Sequence, residues 1–169
     1  MAHPLVDQLR FTRSEFQRGI GDTPIADGNI QLGPMNSIGW IVGHMAWHEQ
    51  LYWLTRMQGV TPVPALDDLV ATGKPATTPP LDEMLEAWRT TTSAADAWLD
   101  RVSQASLAEP LRSSPVPRTI GSALLRVTYH YWFHTGEILA IRQQLDHPDR
   151  PEFVGPALDS EHPYRPEAE

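Results

Sequence analysis

Four stretches of this chain repeat their apolar residues at the spacing of an α-helix, and segments rich in proline or glycine separate them. The stretches cover residues 4–18, 37–58, 79–102 and 119–145. The sequence lacks the alternation of apolar and polar residues that is typical of a half-buried strand. It therefore predicts an all-α fold, a four-helix bundle, in which functional side chains point inward from facing helices.

The chain length and its prolines predict how this bundle is bounded. A chain of 169 residues fits one domain, which we expect over residues 1–147. Residues 148–169 hold five prolines without a helical period, which predicts an irregular tail. Residues 60–80 also hold five prolines, and a connection of this length can cross the bundle between the second and third helices.

Side chains that cap helices indicate where three of the helices begin. Asn36 or Ser37 is expected to cap the second helix, and Thr119 the fourth. Thr78 followed by Pro79 predicts an N-cap with proline in the first turn of the third helix.

Two pairs of histidines are the most informative polar residues. His44 and His48 are four residues apart in the second predicted helix, and His130 and His134 are four apart in the fourth. Residues four apart in a helix are offset by only about 40° around its axis, so each pair projects from one face. Both faces are apolar, which predicts that the two pairs point into the core.

The opposite side of the second helix predicts two further properties. On a helical wheel, Glu49 and Gln50 point away from the core. Trp53 and Met57 lie opposite the histidines, where they would leave apolar surface in water. This favours a homodimer, although the loops or the tail would cover the same surface equally well.

Inward histidines allow two interpretations. They are either hydrogen-bonded core residues or ligands of a shared divalent metal ion, and burying several imidazoles without partners would be costly. The chain has no cysteine to act as a softer ligand. Imidazole suits zinc, nickel and ferrous iron alike, so the sequence leaves the metal open.

Three segments resemble the DinB-like family of metal-binding four-helix bundles, which includes the YfiT-like proteins. They read Asn-Ser-Ile-Gly-Trp-Ile-Val-Gly-His-Met-Ala at 36–46, His-Tyr-Trp-Phe-His-Thr-Gly-Glu-Ile at 130–138 and Ala-Ile-Arg-Gln-Gln-Leu at 140–145. The resemblance covers roughly residues 3–147. Asn36 stands where the family often has tryptophan.

The resemblance implies an up-down-down-up topology and a set of metal ligands. The family's ligands fall on His44, His130 and His134, with water completing the shell. Three imidazoles and an open position are typical of a catalytic metal site rather than a closed structural one.

Three further residues are candidates for a catalytic role. His48 is a fourth ligand, an acid or base, a hydrogen-bonding partner of a ligand, or a core residue. Glu137 either orients a ligand or is a carboxylate at the edge of the bundle. Arg126, one turn before the second histidine pair, either binds a substrate carboxylate or lies at the surface.

The resemblance implies a metal-dependent transferase or isomerase that uses a low-molecular-weight thiol on small electrophilic substrates. Two alternatives remain: a non-catalytic metal-binding or dimerising helical protein, and a metal-dependent hydrolase. The expected partner is therefore a small-molecule substrate.

Charge and hydropathy exclude other classes of partner. The formal net charge of −8 disfavours nucleic acid and anionic membranes. No apolar run approaches the ~20 residues that span a bilayer, and the first residues lack the features of a signal peptide. We therefore expect a cytoplasmic protein.

Overall fold

The computed structural model describes residues 2–155 and Ser160, and its regular structure there is helical. The all-α prediction is thereby confirmed. An isolated bridge between Pro110 and Thr119 is the extent of β pairing among these residues. The long helices are α1 (Pro4–Ile20), α3 (Ile38–Glu49), α5 (Leu81–Leu99) and α7 (Ile120–Gln144). Short helices interrupt the connections: α2 (Ile25–Gly28), α4 (Leu66–Leu69) and α6 (Gln104–Leu107).

Two of the predicted helix starts are confirmed by their caps. The Ser37 hydroxyl accepts a hydrogen bond from the Trp40 backbone N–H at 3.1 Å, and α3 begins at the next residue. The Thr119 hydroxyl accepts one from the Ser122 N–H at 3.1 Å at the start of α7.

The predicted start of the third helix is wrong. Helix α5 begins at Leu81, and the N-cap position is Pro80 rather than Thr78. A proline disfavours the helical conformation of the residue before it, so Pro80 keeps Pro79 out of the helix. Proline has no side-chain acceptor; instead, the Asn29 side-chain oxygen accepts a hydrogen bond from the Leu81 N–H at 3.2 Å.

Helices α3 and α5 pack closely along their length. Gly43 permits this, because a Cβ atom there would lie 2.4 Å from the sulfur of Met84. Beyond the end of α3, the ring of Trp53 stacks on that of Trp98 of α5, with centroids 5.5 Å apart. Residues later in this stretch of chain thus contact residues later in α5.

Helices α1 and α7 form the second closely packed pair. The ring centroids of Phe11 and Trp132 lie 6.1 Å apart, and Arg142 Nη1 donates to the Gly19 carbonyl at 2.8 Å. These contacts also advance along both helices in the same direction. Helix α3 contacts α7 as well, and this contact holds the histidines.

The prediction that Glu49 and Gln50 point away from the core is wrong. Glu49 is completely buried and Gln50 is 1% exposed, because α3 is surrounded by the bundle rather than lying at its surface. Glu49 forms a bidentate ion pair with Arg13 of α1, with N···O distances of 2.8 and 2.7 Å. Gln50 exchanges hydrogen bonds with the Val63 backbone in the crossover.

The helix that begins as α3 continues as a π-helix from Gln50 to Arg56. A π-helix has more residues per turn, so the wheel of an α-helix no longer gives the directions of the side chains beyond Glu49. Trp53 is accordingly fully buried against Trp98 instead of exposed, and Met57 is partly buried. The exposed tryptophan on which the homodimer prediction depended is therefore absent, and the homodimer stays a prediction.

The first part of the predicted tail lies against the bundle. Arg18 of α1 donates to the Glu152 carbonyl at 3.0 Å, and its guanidinium lies 4.5 Å from the centroid of the Phe153 ring. Residues 156–159 and 161–169 of the tail lie outside the described residues. No helix within the described part of the chain is long and apolar enough to cross a membrane.

Candidate metal centre

Helices α3 and α7 bring three of the four paired histidines to one point. His44 comes from α3, and His130 and His134 come from α7. One ring nitrogen of each lies within 4.8 Å of the corresponding nitrogens of the other two, a group that could hold a metal ion. We call these three residues the histidine cluster.

The ring nitrogens of the cluster face one another. His130 Nε2 and His134 Nε2 are 2.9 Å apart, and the ring centroid of His44 lies 5.2 Å from that of His130 and 5.3 Å from that of His134. His44 and His134 are buried, whereas His130 is partly exposed. The cluster is therefore accessible from one side, past His130.

Hydrogen bonds at Nδ1 fix two of the three rings. His44 Nδ1 lies 2.8 Å from the Val70 carbonyl oxygen, and His134 Nδ1 lies 2.5 Å from Glu137 Oε2. A carbonyl and a carboxylate can only accept, so each Nδ1 carries the proton and each Nε2 keeps its lone pair. Metal-bound histidines in proteins show this same arrangement.

The donor set fits a divalent transition metal. Three imidazoles would supply the ligands, and the Nε2 atoms of His130 and His134 already lie 2.9 Å apart. Burial lowers the pKa of His44 to about 4, and burial together with the neighbouring His134 and His44 lowers the pKa of His130 to about 3. Both rings are neutral at pH 7, which is the state that metal ligation requires.

His48 lies beside the cluster but outside the group of three. Its ring centroid is 4.7 Å from that of His44 and 4.4 Å from that of His130, and its buried Nδ1 has no hydrogen-bond partner among the described atoms. Burial, with His44 and His130, lowers the pKa of His48 well below its ordinary value. His48 is thus a neutral imidazole adjacent to the proposed ligands.

Glu137 contacts the histidine cluster directly, whereas Arg126 lies farther out, beside a cleft. Glu137 is the hydrogen-bond acceptor for His134, as described above, with its side chain 32% exposed. Arg126 is exposed on α7, one turn before His130, and its Nε donates to the Tyr52 hydroxyl at 3.2 Å. It is therefore at the opening of the site rather than against the histidine cluster.

Tyr52 and Arg118 belong to this neighbourhood, and the sequence predicted neither. Arg118 Nη1 donates to the Tyr52 hydroxyl at 2.5 Å. Tyr52 lies in the π-helical segment, and Arg118 lies just before the α7 cap in an irregular connection. Neither position follows from helical periodicity, and the sequence carries no other signal for them.

An open cleft of about 560 Å³ leads from the surface to the exposed side of the histidine cluster. It is a volume suited to a small molecule. Its lining residues are Arg118, Ser122, Leu125, Arg126, Tyr129 and His130.

Comparisons with known proteins agree with the motifs. The model of the DinB superfamily matches residues 8–138, which is more than half of the chain, and confirms the resemblance. The fold is similar to the crystal structure of a conserved protein from Enterococcus faecalis, with a TM-score of 0.59 and 14% sequence identity. That similarity covers 82% of this chain and 93% of the other, and at this identity it concerns the fold alone. No curated protein matches the sequence.

Proposed function

Since the chain belongs to the DinB superfamily, we propose that it is a divalent-metal-dependent transferase or isomerase that uses a low-molecular-weight thiol on a small electrophile. The observation that carries the proposal is the histidine cluster, with His44, His130 and His134 as the metal ligands. Zinc, nickel and iron are the candidate metals, because imidazole binds each of them.

The open cleft favours an enzyme over a metal-binding protein without catalytic activity. A structural metal site is closed by four protein ligands, whereas this cluster offers three and borders the cleft through His130. A divalent metal held there would stabilise the anionic form of a thiol or of water.

The chain's own residues supply the remaining parts of the site. His134 and Glu137 form a hydrogen-bonded pair that orients one ligand, and the Val70 carbonyl orients another. His48 packs against His44 and His130 and is proposed to hold their rings in place rather than to act as a base, because a buried imidazole whose pKa is lowered binds protons poorly. The chain has no cysteine, so a thiol nucleophile must come from a second small molecule.

The proposed topology of the bundle is up-down-down-up. Contacts along α1 and α7, and along α3 and α5, advance in the same direction. The chain from α3 onward runs opposite to α7, since His44 of α3 meets His134 while Tyr52, in the π-helix that continues α3, meets Arg126. These directions support two parallel pairs, α1 with α7 and α3 with α5, of which the second pair is joined by the long crossover.

Elemental analysis and thiol-transfer assays together test the proposed function. We expect about one divalent metal per chain, and loss of most of it in the alanine variants of His44, His130 and His134. His3→Ala is the control, because His3 lies at the start of α1 and contacts Gln104. Unchanged metal content in all three cluster variants would contradict the site.

Turnover is measured with the metal-loaded protein, model electrophiles, and glutathione, bacillithiol or mycothiol. We expect turnover with one of these thiols and its loss in the cluster variants. Ester hydrolysis without thiol would favour the hydrolase instead. Metal binding without turnover of either kind would favour the non-catalytic protein.

A further inference from the structure

Three arginines surround the hydroxyl end of Tyr52 without a carboxylate partner among the described residues. Arg118 and Arg126 both donate to the hydroxyl oxygen, as described above. The guanidinium of Arg56 lies 5.1 Å from the centroid of the tyrosine ring. We call Arg56, Arg118 and Arg126 the arginine cluster.

This concentration of positive charge is unusual for the chain. The protein has a net charge of −8, and other arginines of the bundle, such as Arg10 and Arg13, are paired with aspartate or glutamate. Like charges held close together repel each other, and an anion between them removes that repulsion. The arginine cluster is therefore a place where an anion would be stabilised.

Two members of the arginine cluster also line the cleft. Arg118 and Arg126 share its wall with His130, so an anion bound there faces the same space as the histidine cluster. Each guanidinium carries five N–H groups, and the structure gives each of these two one hydrogen bond, to Tyr52. The remaining donors can bind both oxygens of a carboxylate or phosphate.

The arginine cluster lies close enough to the histidine cluster for one small molecule to contact both. The ring of His48 lies between the two sites, with centroids 5.6 Å from Tyr52 and 4.4 Å from His130. A ligand held by the arginines at one end can therefore reach the histidine cluster with the other.

Two largely apolar side chains of α7 also line the cleft. Leu125 and Tyr129 are 39% and 64% exposed there, next to Arg126 and His130. A ligand that contacts both these side chains and the arginines has an anionic group and an apolar body.

We propose that the arginine cluster and the cleft form the subsite that recognises a carboxylate or phosphate on an apolar small-molecule substrate. As an assignment of substrate class, this rests on the metal-dependent function proposed above. Arg118 and Arg126 bind the anion, and Tyr52 is a positioning residue that holds their guanidiniums.

Direct binding of simple anions tests the subsite without any turnover. Acetate, benzoate and inorganic phosphate are titrated separately into the metal-loaded protein and into the metal-free protein, and binding is followed by NMR shifts of the arginine side chains. We expect the tighter of acetate and phosphate to identify the anionic group. Benzoate is expected to bind more tightly than acetate, because its ring contacts Leu125 and Tyr129.

Substitutions at the arginine cluster test whether the anion binds there. The double variant Arg118→Gln, Arg126→Gln is expected to lose at least tenfold in affinity for the tightest anion. Tyr52→Phe is expected to lose several-fold while its metal content stays unchanged, because it removes the shared acceptor of the two guanidiniums. Arg89→Gln changes the same charge at an exposed position on α5, and its affinity is expected to match that of the unaltered protein.

Two results would overturn the proposal: equal anion affinity in the double variant and the unaltered protein, or an equal loss in Arg89→Gln. Anion binding that is seen only with metal, and that disappears in His130→Ala while the double variant retains it, would place the anion on the metal instead. Since the metal-free protein should also bind the anion, failure of the metal or thiol chemistry leaves this test intact.

Discussion

Removal of the Glu49 carboxylate should expose how strongly the bundle depends on its buried ion pair. Glu49 is fully buried and accepts hydrogen bonds from Arg13 at 2.8 and 2.7 Å and from the Tyr131 hydroxyl at 2.9 Å. Glu49→Ala leaves the Arg13 guanidinium, whose side chain is 7% exposed, without its main partner. The electrostatic stabilisation of that buried charge is then lost.

The expected loss follows from what remains around Arg13. Breaking a buried ion pair by removing one partner costs about 3–5 kcal/mol. Asp96 still accepts from Arg13 Nη1 at 2.8 Å, but its side chain is 44% exposed and its interaction is screened by water. We therefore expect the lower end of that range, about 3 kcal/mol, which for a domain of this size lowers Tm by about 6–12 °C.

Urea denaturation of the single variant, with two controls, measures this effect. Arg89→Ala removes an exposed arginine that lies 3.6 Å from Glu86, and should change the free energy of unfolding by less than about 0.5 kcal/mol. The double variant Arg13→Met, Glu49→Leu removes both charges and should recover most of the lost stability, since apolar residues can replace a buried pair. Equal stability of Glu49→Ala and Arg89→Ala would refute the reasoning, as would a double variant no more stable than the single one.

Three further predictions concern the metal, the pH and the packing. Glu137→Gln should weaken metal affinity by about 10–100-fold, as measured by calorimetry, because His134 loses its anionic hydrogen-bond acceptor; an unchanged affinity would contradict the role of Glu137. For the metal-free protein, the pKa values of His44 and His130 are lowered to about 4 and about 3, below the unfolded value of about 6.5. Stability is thus fully present above pH 6.5 and should fall as the pH drops from 6.5 towards 4, because the unfolded histidines then bind protons that the folded ones do not; flat urea midpoints across that range would count against it. Gly39→Ala should lower the free energy of unfolding by about 1–3 kcal/mol, because its Cβ would lie 2.3 Å from the Pro79 carbonyl oxygen. If the variant unfolds at the same Tm as the unaltered protein, this close approach of the two backbones does not limit stability.

The pairing of the histidines on one helix face could be predicted because it depends on helical periodicity alone. Residues four apart share a face in any α-helix, so the pairing of His130 with His134 follows from the sequence. The caps at Ser37 and Thr119 could be predicted for the same reason, because each needs only a side-chain oxygen directly before the first turn of its own helix.

Other parts of the fold and of the site depend on distant residues and could not be predicted. A helical wheel places Glu49 on a polar face, but its partner Arg13 lies 36 residues earlier, and only the tertiary fold brings the two together. The π-helix changes the direction of Trp53 and Tyr52 without a clear signal in the sequence. Arg118 reaches Tyr52 from an irregular connection, which has no period to read.

The hydrogen bonds that fix two rings of the histidine cluster differ in whether a substitution can remove them. His44 is held by a backbone carbonyl, that of Val70 in the proline-rich crossover, and no single side-chain substitution at Val70 removes that acceptor. His134 is held by the Glu137 side chain, which a substitution can replace without changing any of the three histidines. The crossover therefore helps to set the geometry of the site as well as connecting the helices. Glu137 is the position at which we expect metal affinity to be adjustable while all three histidines remain in place.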